Sequence, residues 1–260
     1  MMITSPANER VRRVRALQER RRTRLKEGAF VIEGRRLAEE AIHAGLPVHE
    51  VYYTEAFAQE PDGVVLLDGL SARGAMCAAV SPQVMAAMSD TQTPQGILAV
   101  LPYPDLPVPD DLSFVLIIDR LSDPGNLGAV LRTAAAAAVP LVIVTGGTVD
   151  VTNPKVVRGG MGAHFRLPVR QMSWEGIAEW VAGCAVFLAA ASGGAPYYRV
   201  DWTQPSALII SEEAHGASEE AIRLAHARVT VPMPGGMESL NAAIAAGVLL
   251  FEMVRQRSEG

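Results

Sequence analysis

Short apolar runs punctuate the chain after residue 112, at 114–118, 141–144, 165–169, 185–190, 207–210 and 229–231. Each is too short for a helix and is bounded by small or turn-forming residues, so each reads as a buried strand. Helix-period stretches fall between them, near 127–138, 153–159, 174–182, 218–226 and 239–256. This alternation predicts an α/β fold with a mostly parallel sheet covered on both faces. Ligands of such a sheet belong at the carboxyl ends of its strands.

The first hundred residues pattern differently. A helix is expected near 8–26, a strand at 29–32 and a helix at 35–44 ended by Gly45. Strands are expected near 48–53, 63–67 and 75–80, then a helix opened by Ser81-Pro82 and a closing strand at 96–101. Pro102, Pro104, Pro107 and Pro109 form a semi-rigid stretch. The expected organisation is therefore a small α/β domain over 1–103, a linker over 104–111 and the parallel-sheet domain over 112–260.

Composition adds three constraints. No apolar run approaches the roughly 18 residues of a membrane span, and the opening residues lack the apolar core of a secretory signal. Cys77 and Cys184 stand in unrelated contexts, which points to a reducing, cytoplasmic setting with no disulfide frame. The five histidines are scattered, so no metal site is expected. Net charge is −5, yet residues 8–26 hold nine Arg or Lys against Glu9 and Glu19, a local +7. An arginine-rich segment of this kind suits RNA phosphates; a merely solvated helix face is the alternative. Arg10, Arg12, Arg13, Arg20, Arg21, Arg22 and Arg24 are the candidate contacts.

Three segments concentrate possible chemistry. The first, 118–134, runs from a strand through Asp123-Pro124-Gly125 into a helix opening at Asn126 and carrying Arg132. Its Gly125-x-x-Gly128 is not the dinucleotide fingerprint G-x-G-x-x-G. The second, 207–218, is a strand entering the loop Ser211-Glu212-Glu213-Ala214-His215-Gly216. The third, 231–241, reads Val-Pro-Met-Pro-Gly-Gly-Met-Glu-Ser-Leu-Asn. Pro232 and Pro234 end a strand there, and Ser239 is the expected N-cap of the last helix.

Together these segments resemble the motifs of the SpoU-type RNA 2′-O-ribose methyltransferases of the SPOUT superfamily. Asp123-Pro124-x-Asn126-Leu127-Gly128-x-x-x-Arg132-Thr133-Ala134 is similar to the first motif. Asn153-Pro154-Lys155-Val156-Val157-Arg158 with Met161-Gly162-Ala163 resembles the segment after it. Glu213-x-x-Gly216 resembles the second, and Pro232-Met233 with Ser239-Leu240-Asn241 the third. Ser5-Pro6-x-Asn8, the arginine run and Phe30-Val31-Ile32-Glu33-Gly34 resemble the L30e-like substrate-binding domain of this family.

The resemblance implies a trefoil knot in the C-terminal domain, a homodimer, and S-adenosylmethionine (AdoMet) as cofactor. It implies AdoMet contacts from Thr145, Gly146, Ile210, Ser211, Gly216, Val231, Pro232, Met233, Ser239, Leu240 and Ala242. It makes Arg132 the catalytic arginine, with Asn126, Ser239 and Asn241 orienting it, the sugar or the cofactor, and Glu213 supporting the loops or dimer contact. Lys155 and Arg158 join the RNA-contacting set. The implied activity is 2′-O-methylation of ribosomal RNA, with transfer RNA or a non-catalytic RNA-binding role as alternatives. A stripe of Leu240, Ile244, Val248 and Phe251, flanked by further apolar positions, supports a dimer independently. Three positions depart from the family pattern. Ser211 and Ala138 stand where glycine is common, and Gly160 where serine is usual; a positive φ at Ser211 would strain the cofactor loop by roughly 1–2 kcal/mol.

Overall fold

A computed structural model describes residues 2–212 and 216–259, so Glu213 lies outside the described residues. The chain divides into two compact units, residues 1–104 with 152–165, and residues 105–151 with 166–260.

In the first unit a four-stranded sheet is built from β1 (Ala29–Glu33), β2 (Glu50–Tyr53), β3 (Met76–Ala79) and β4 (Ile97–Pro102) in the order β1-β4-β2-β3. Only β2 and β3 run parallel. One face packs on α3 (Arg35–His43) and α5 (Pro61–Ala72), which follows the short α4 (Glu55–Gln59). The other packs on α1 (Glu9–Glu19) and α6 (Pro82–Met88). The expected strand at 63–67 is thus part of a helix. Pro61 starts it at the first turn, and Gly63, Leu66 and Leu70 face inward at helical spacing while Val64 and Val65 face out. Gly63 has a packing reason, because a Cβ there would lie 2.0 Å from the Phe57 carbonyl oxygen.

The expected single helix over 8–26 is two, α1 and α2 (Arg21–Glu27), broken at Arg20, whose backbone is extended (φ −121°, ψ 110°). The break folds Arg24 back on α1. Arg24 is 5% exposed, and its Nη1 donates to the carbonyls of Leu17 (2.7 Å) and Gln18 (3.0 Å), satisfying the open end of the helix. Arg13 bridges Glu27 (2.7 Å) and Glu50 (2.6 Å). These two guanidiniums hold the domain together and are not free for RNA. Tyr52, fully buried, donates to Glu50, and burial with that carboxylate pushes its phenol well above the usual range.

The second unit is a seven-stranded, all-parallel sheet. Its strands are β5 (Phe114–Asp119), β6 (Val142–Val144), β7 (Val169–Gln171), β8 (Ala185–Ala189), β9 (Ala195–Pro196), β10 (Ser206–Ser211) and β11 (Ala227–Thr230). The order is β7-β6-β5-β10-β8-β11-β9. Helices α7 (Pro124–Ala136), α9 (Trp174–Trp180), α10 (Glu219–Leu224) and α11 (Ala242–Glu259) surround it; α8 (Pro154–Gly160) belongs to the first unit. The run at 165–169 is not one strand: a 3₁₀ turn ends at Phe165, and pairing begins only at Val169. Trp202, fully buried, packs on Phe187 and Phe114 at ring-centroid distances of 5.1 and 6.3 Å. Arg257 of α11 lies over Phe114 and donates to the Trp202 carbonyl and to Ser113, which pins the end of the helix to the start of β5.

Of the three departures, the positive φ falls on Ala138 (51°), two residues past the end of α7, and not on Ser211. Ser211 is the last residue of β10, paired in register with Asp119, and carries no positive φ, so the strain expected at that residue is absent. At Gly160 a Cβ would meet the His164 ring at 3.0 Å, so the histidine occupies the space a serine would need.

Candidate cofactor cleft and acceptor face

Registration of β10 on β5 brings Asp119 and Ser211 side by side at the carboxyl edge of the sheet. The loops that leave this edge enclose a cleft of about 300 Å³. Of the residues expected to hold the cofactor, Ile210, Ser211 and Gly216 line it from the β10 side. Val231 and Met233 line it from the loop after β11, and Ser239, Leu240 and Ala242 from the approach to α11. Thr145, Gly146 and Pro232 do not line it.

Thr145 stands behind the cleft, in a buried network that sequence reasoning missed. Asp119 is fully buried. Its Oδ2 accepts the Ser218 backbone N–H (2.7 Å), and its Oδ1 accepts the Thr145 hydroxyl (3.3 Å). Ser218 in turn caps α10, and Thr145 Oγ1 accepts the backbone N–H of Arg120 (3.1 Å). Arg120, left-handed at φ 52°, turns its Nε to within 3.7 Å of Asp119. One carboxylate thus ties together the loops after β5, β6 and β10. A charged residue ending an apolar strand was the available signal, because a buried carboxylate needs several donors.

Sequence reasoning also missed Ala189, Ala190 and Ala191 at the end of β8, and Arg228 on β11. They lie outside the three motif segments. The rule that the whole carboxyl edge carries the ligand would have found them.

The candidate acceptor side is built by α7 and the start of α11. Asp123, not Asn126, caps α7, accepting the Asn126 N–H at 2.7 Å. Asn241, not Ser239, caps α11: its Oδ1 accepts from the backbone N–H of Ala243 (3.0 Å) and Ile244 (3.3 Å). Freed from capping, the Asn126 side chain accepts a hydrogen bond from Asn241 Nδ2 at 2.9 Å. Arg132, two turns into α7, is exposed and makes no hydrogen bond or ion pair among the described residues. The helix starts at Ala242, so Leu240 leaves the apolar stripe and lines the cleft.

In the first unit Arg10, Arg12, Arg20, Arg21 and Arg22 are exposed, as is Lys155. Arg158 is ion-paired with Asp90 at 2.8 Å.

The cleft suits a nucleoside with an amino-acid arm. Its walls are chiefly small and branched aliphatics, and segments 231–233 and 239–240 belong to no helix or strand, which leaves backbone groups for a purine and sugar. Glu212 and Arg228 supply one negative and one positive side chain.

The SpoU rRNA Methylase family model matches residues 113–251, and the MRM3-like substrate binding domain model matches residues 8–99. The chain is 32% identical to the 23S rRNA (guanosine(2553)-2′-O)-methyltransferase RlmP of Bacillus subtilis, over 96% of this chain and 98% of that protein. It is 30% identical to human mitochondrial rRNA methyltransferase 3, over 96% of this chain and 73% of that one. Among solved structures, the SpoU methyltransferase AviRb from Streptomyces viridochromogenes in complex with AdoMet superposes with a TM-score of 0.86 at 31% identity, covering 97% of this chain and all of that one. With an AdoMet-sized cleft behind an asparagine pair and matches spanning both units, the chain belongs to the SpoU rRNA methylase family.

Proposed function

We propose that this protein transfers a methyl group from AdoMet to a ribose 2′-oxygen of ribosomal RNA. The observation that carries the reading is the presence, within one unit, of the cleft, the Asn126–Asn241 pair beside it and, on the helix that bears Asn126, an exposed cation with no hydrogen bond or ion pair among the described residues. Relatives that span both units and are named for ribosomal RNA support that substrate over transfer RNA.

AdoMet, when bound, supplies a methyl group made electrophilic by its sulfonium. The cleft residues Ile210, Val231, Met233 and Leu240 hold the cofactor and exclude water. Asn126 and Asn241 fix each other and orient the sugar; alignment of this kind is worth several kcal/mol of barrier. Arginine stays protonated at neutral pH. We therefore assign Arg132 to a substrate phosphate, gripped by the guanidinium fork, and to the negative charge that grows on the 2′-oxygen as its proton leaves. Incubation with isotopically labelled AdoMet and unmodified ribosomal RNA, read by nucleoside mass spectrometry, tests the reading. Label in a 2′-O-methylnucleoside is expected; label confined to transfer RNA, or to a base, would overturn it.

RNA contact is assigned to Arg10, Arg12, Arg20, Arg21, Arg22 and Lys155. Replacing Arg12, Arg20 and Arg22 together with glutamine should weaken RNA binding and reduce the slope of log K against log salt by about 2, since each single-strand phosphate contact contributes roughly 0.7. Arg24→Gln should lower the urea midpoint and leave that slope unchanged. A slope that follows Arg24 and not the triple substitution would contradict the assignment.

The active form is assigned as a homodimer joined through α11, whose Ile244 and Phe251 are 57% and 50% exposed while Ala246, Leu249, Leu250 and Met253 face the core. An Ile244→Asp, Phe251→Asp variant should sediment as a monomer where the parent sediments as a dimer; equal sedimentation would remove α11 from the interface. The trefoil knot belongs to the same reading, supported by β10 lying between β5 and β8 and by family membership. Two free cysteines, Cys77 and Cys184, support a reducing, cytoplasmic setting. Among the described residues no helix is long and apolar enough to cross a membrane.

A further inference from the structure

Glu212 follows the last residue of β10 and lines the cleft. It accepts a hydrogen bond from the Ser122 hydroxyl, one residue before the cap of α7. The carboxylate is therefore tethered where the cleft meets the loop that leads into α7, the helix carrying Asn126. Asn126 is in turn bonded to Asn241, next to the cleft residues Leu240 and Ala242. This is the end of the cleft from which a transferred group must emerge. Among the described lining residues the other charged one, Arg228, is on β11, two strands away across β8, so roughly 10 Å across the sheet, and level with Ile209, three residues before Glu212. The cleft thus has a negative end at the acceptor face and a positive end away from it.

We propose that Glu212 selects the methylated cofactor over its demethylated product, by setting a carboxylate against the cationic sulfonium at the transfer end of the cleft. The proposal rests on the AdoMet reading above. In transfer the ribose oxygen takes the methyl carbon, the electron pair of the broken C–S bond stays on sulfur, and the hydroxyl proton passes to solvent. The sulfur becomes neutral, so its attraction to Glu212 is lost while every contact to purine, ribose and amino-acid arm remains. A single charge pair a few ångströms apart at a half-exposed site changes affinity by about tenfold. The device helps the product leave and limits its inhibition of the enzyme.

Calorimetric titration of the full chain with AdoMet and with S-adenosylhomocysteine tests it. The parent should bind AdoMet more tightly, by about tenfold, and rising salt should narrow that preference. Glu212→Gln, which keeps an acceptor for Ser122, should lose about tenfold in AdoMet affinity, with product affinity held within about twofold. Ser122→Ala, which keeps the charge, should retain the preference. If Glu212→Gln weakens both ligands alike, Glu212 is a loop tie and the proposal falls; it falls also if neither affinity changes, or if the preference vanishes in Ser122→Ala. Absence of AdoMet binding by the parent would instead overturn the cofactor reading itself.

Discussion

Arg132→Ala should reduce methyl transfer by about 10³-fold or more and leave AdoMet affinity within a few-fold of the parent. The side chain is exposed, makes no hydrogen bond or ion pair among the described residues and does not line the cleft. Its removal should cost neither packing nor cofactor contact, so the loss should fall on kcat. A charge aimed at a developing oxyanion is worth roughly 3–4 kcal/mol, which is 10²–10³-fold, and loss of the phosphate grip adds to it. Arg132→Lys keeps the charge without the fork and should recover only part of the rate. Single-turnover kinetics with calorimetry for AdoMet would separate the two effects. A variant retaining parent-like kcat would remove Arg132 from the reaction.

Asp119→Ala should lower stability by about 3 kcal/mol and weaken AdoMet binding at the same time. The carboxylate is fully buried and accepts from Ser218 and Thr145. Its loss leaves the buried Ser218 N–H without its acceptor and the Thr145 hydroxyl with only the longer contact to the Gly146 carbonyl (3.4 Å); an unsatisfied buried donor costs roughly 1–3 kcal/mol. Cofactor binding should suffer because Ser218 caps the helix that follows Gly216 and Ala217, both in the cleft wall. Urea unfolding and calorimetry on the same sample would measure both. A parent-like urea midpoint would show that the network does not hold the loops. Asp119→Asn keeps one acceptor oxygen and should fall between the two.

These expectations differ in how far they could be read from the sequence. Arg132, Asn126 and Asn241 were legible as candidates because their spacing resembles a known motif set. The capping logic for two of them was not. Ser239 is a good N-cap by type, yet α11 begins three residues later and Asn241 takes the role. Asn126 was expected to open α7, and Asp123 does so. Capping preferences distinguish residue types better than neighbouring positions. Here the outcome releases the Asn126 side chain for its bond to Asn241. The arginine run shows the same limit. Nine basic residues in one stretch suggested RNA, but a kink at Arg20 places Arg24 inside and pairs Arg13 with two glutamates. The apolar run 63–67 looked like a strand by composition. Proline at the start and a glycine pressed on Phe57 made it helical, which no local propensity scale would weigh.

By itself the sequence determined the alternating β and α order, the positions of five of the seven strands of the large sheet (β7 was misplaced and the two-residue β9 missed), and the motif residues that line the cleft. Those follow from apolar periodicity and residue type, which are local. Tertiary structure alone decided the rest. Strand order placed β8 beside β10 and β11 beside β8, which made Ala189–Ala191 and Arg228 part of the cleft. Register set Asp119 level with Ser211, and turned a residue that ends an apolar run into the anchor of three loops. The return of residues 152–165 to the first unit could not be read from the pattern either. Each of these depends on which distant segments pair, and pairing is set by the burial of whole faces, a property no single stretch of the chain contains.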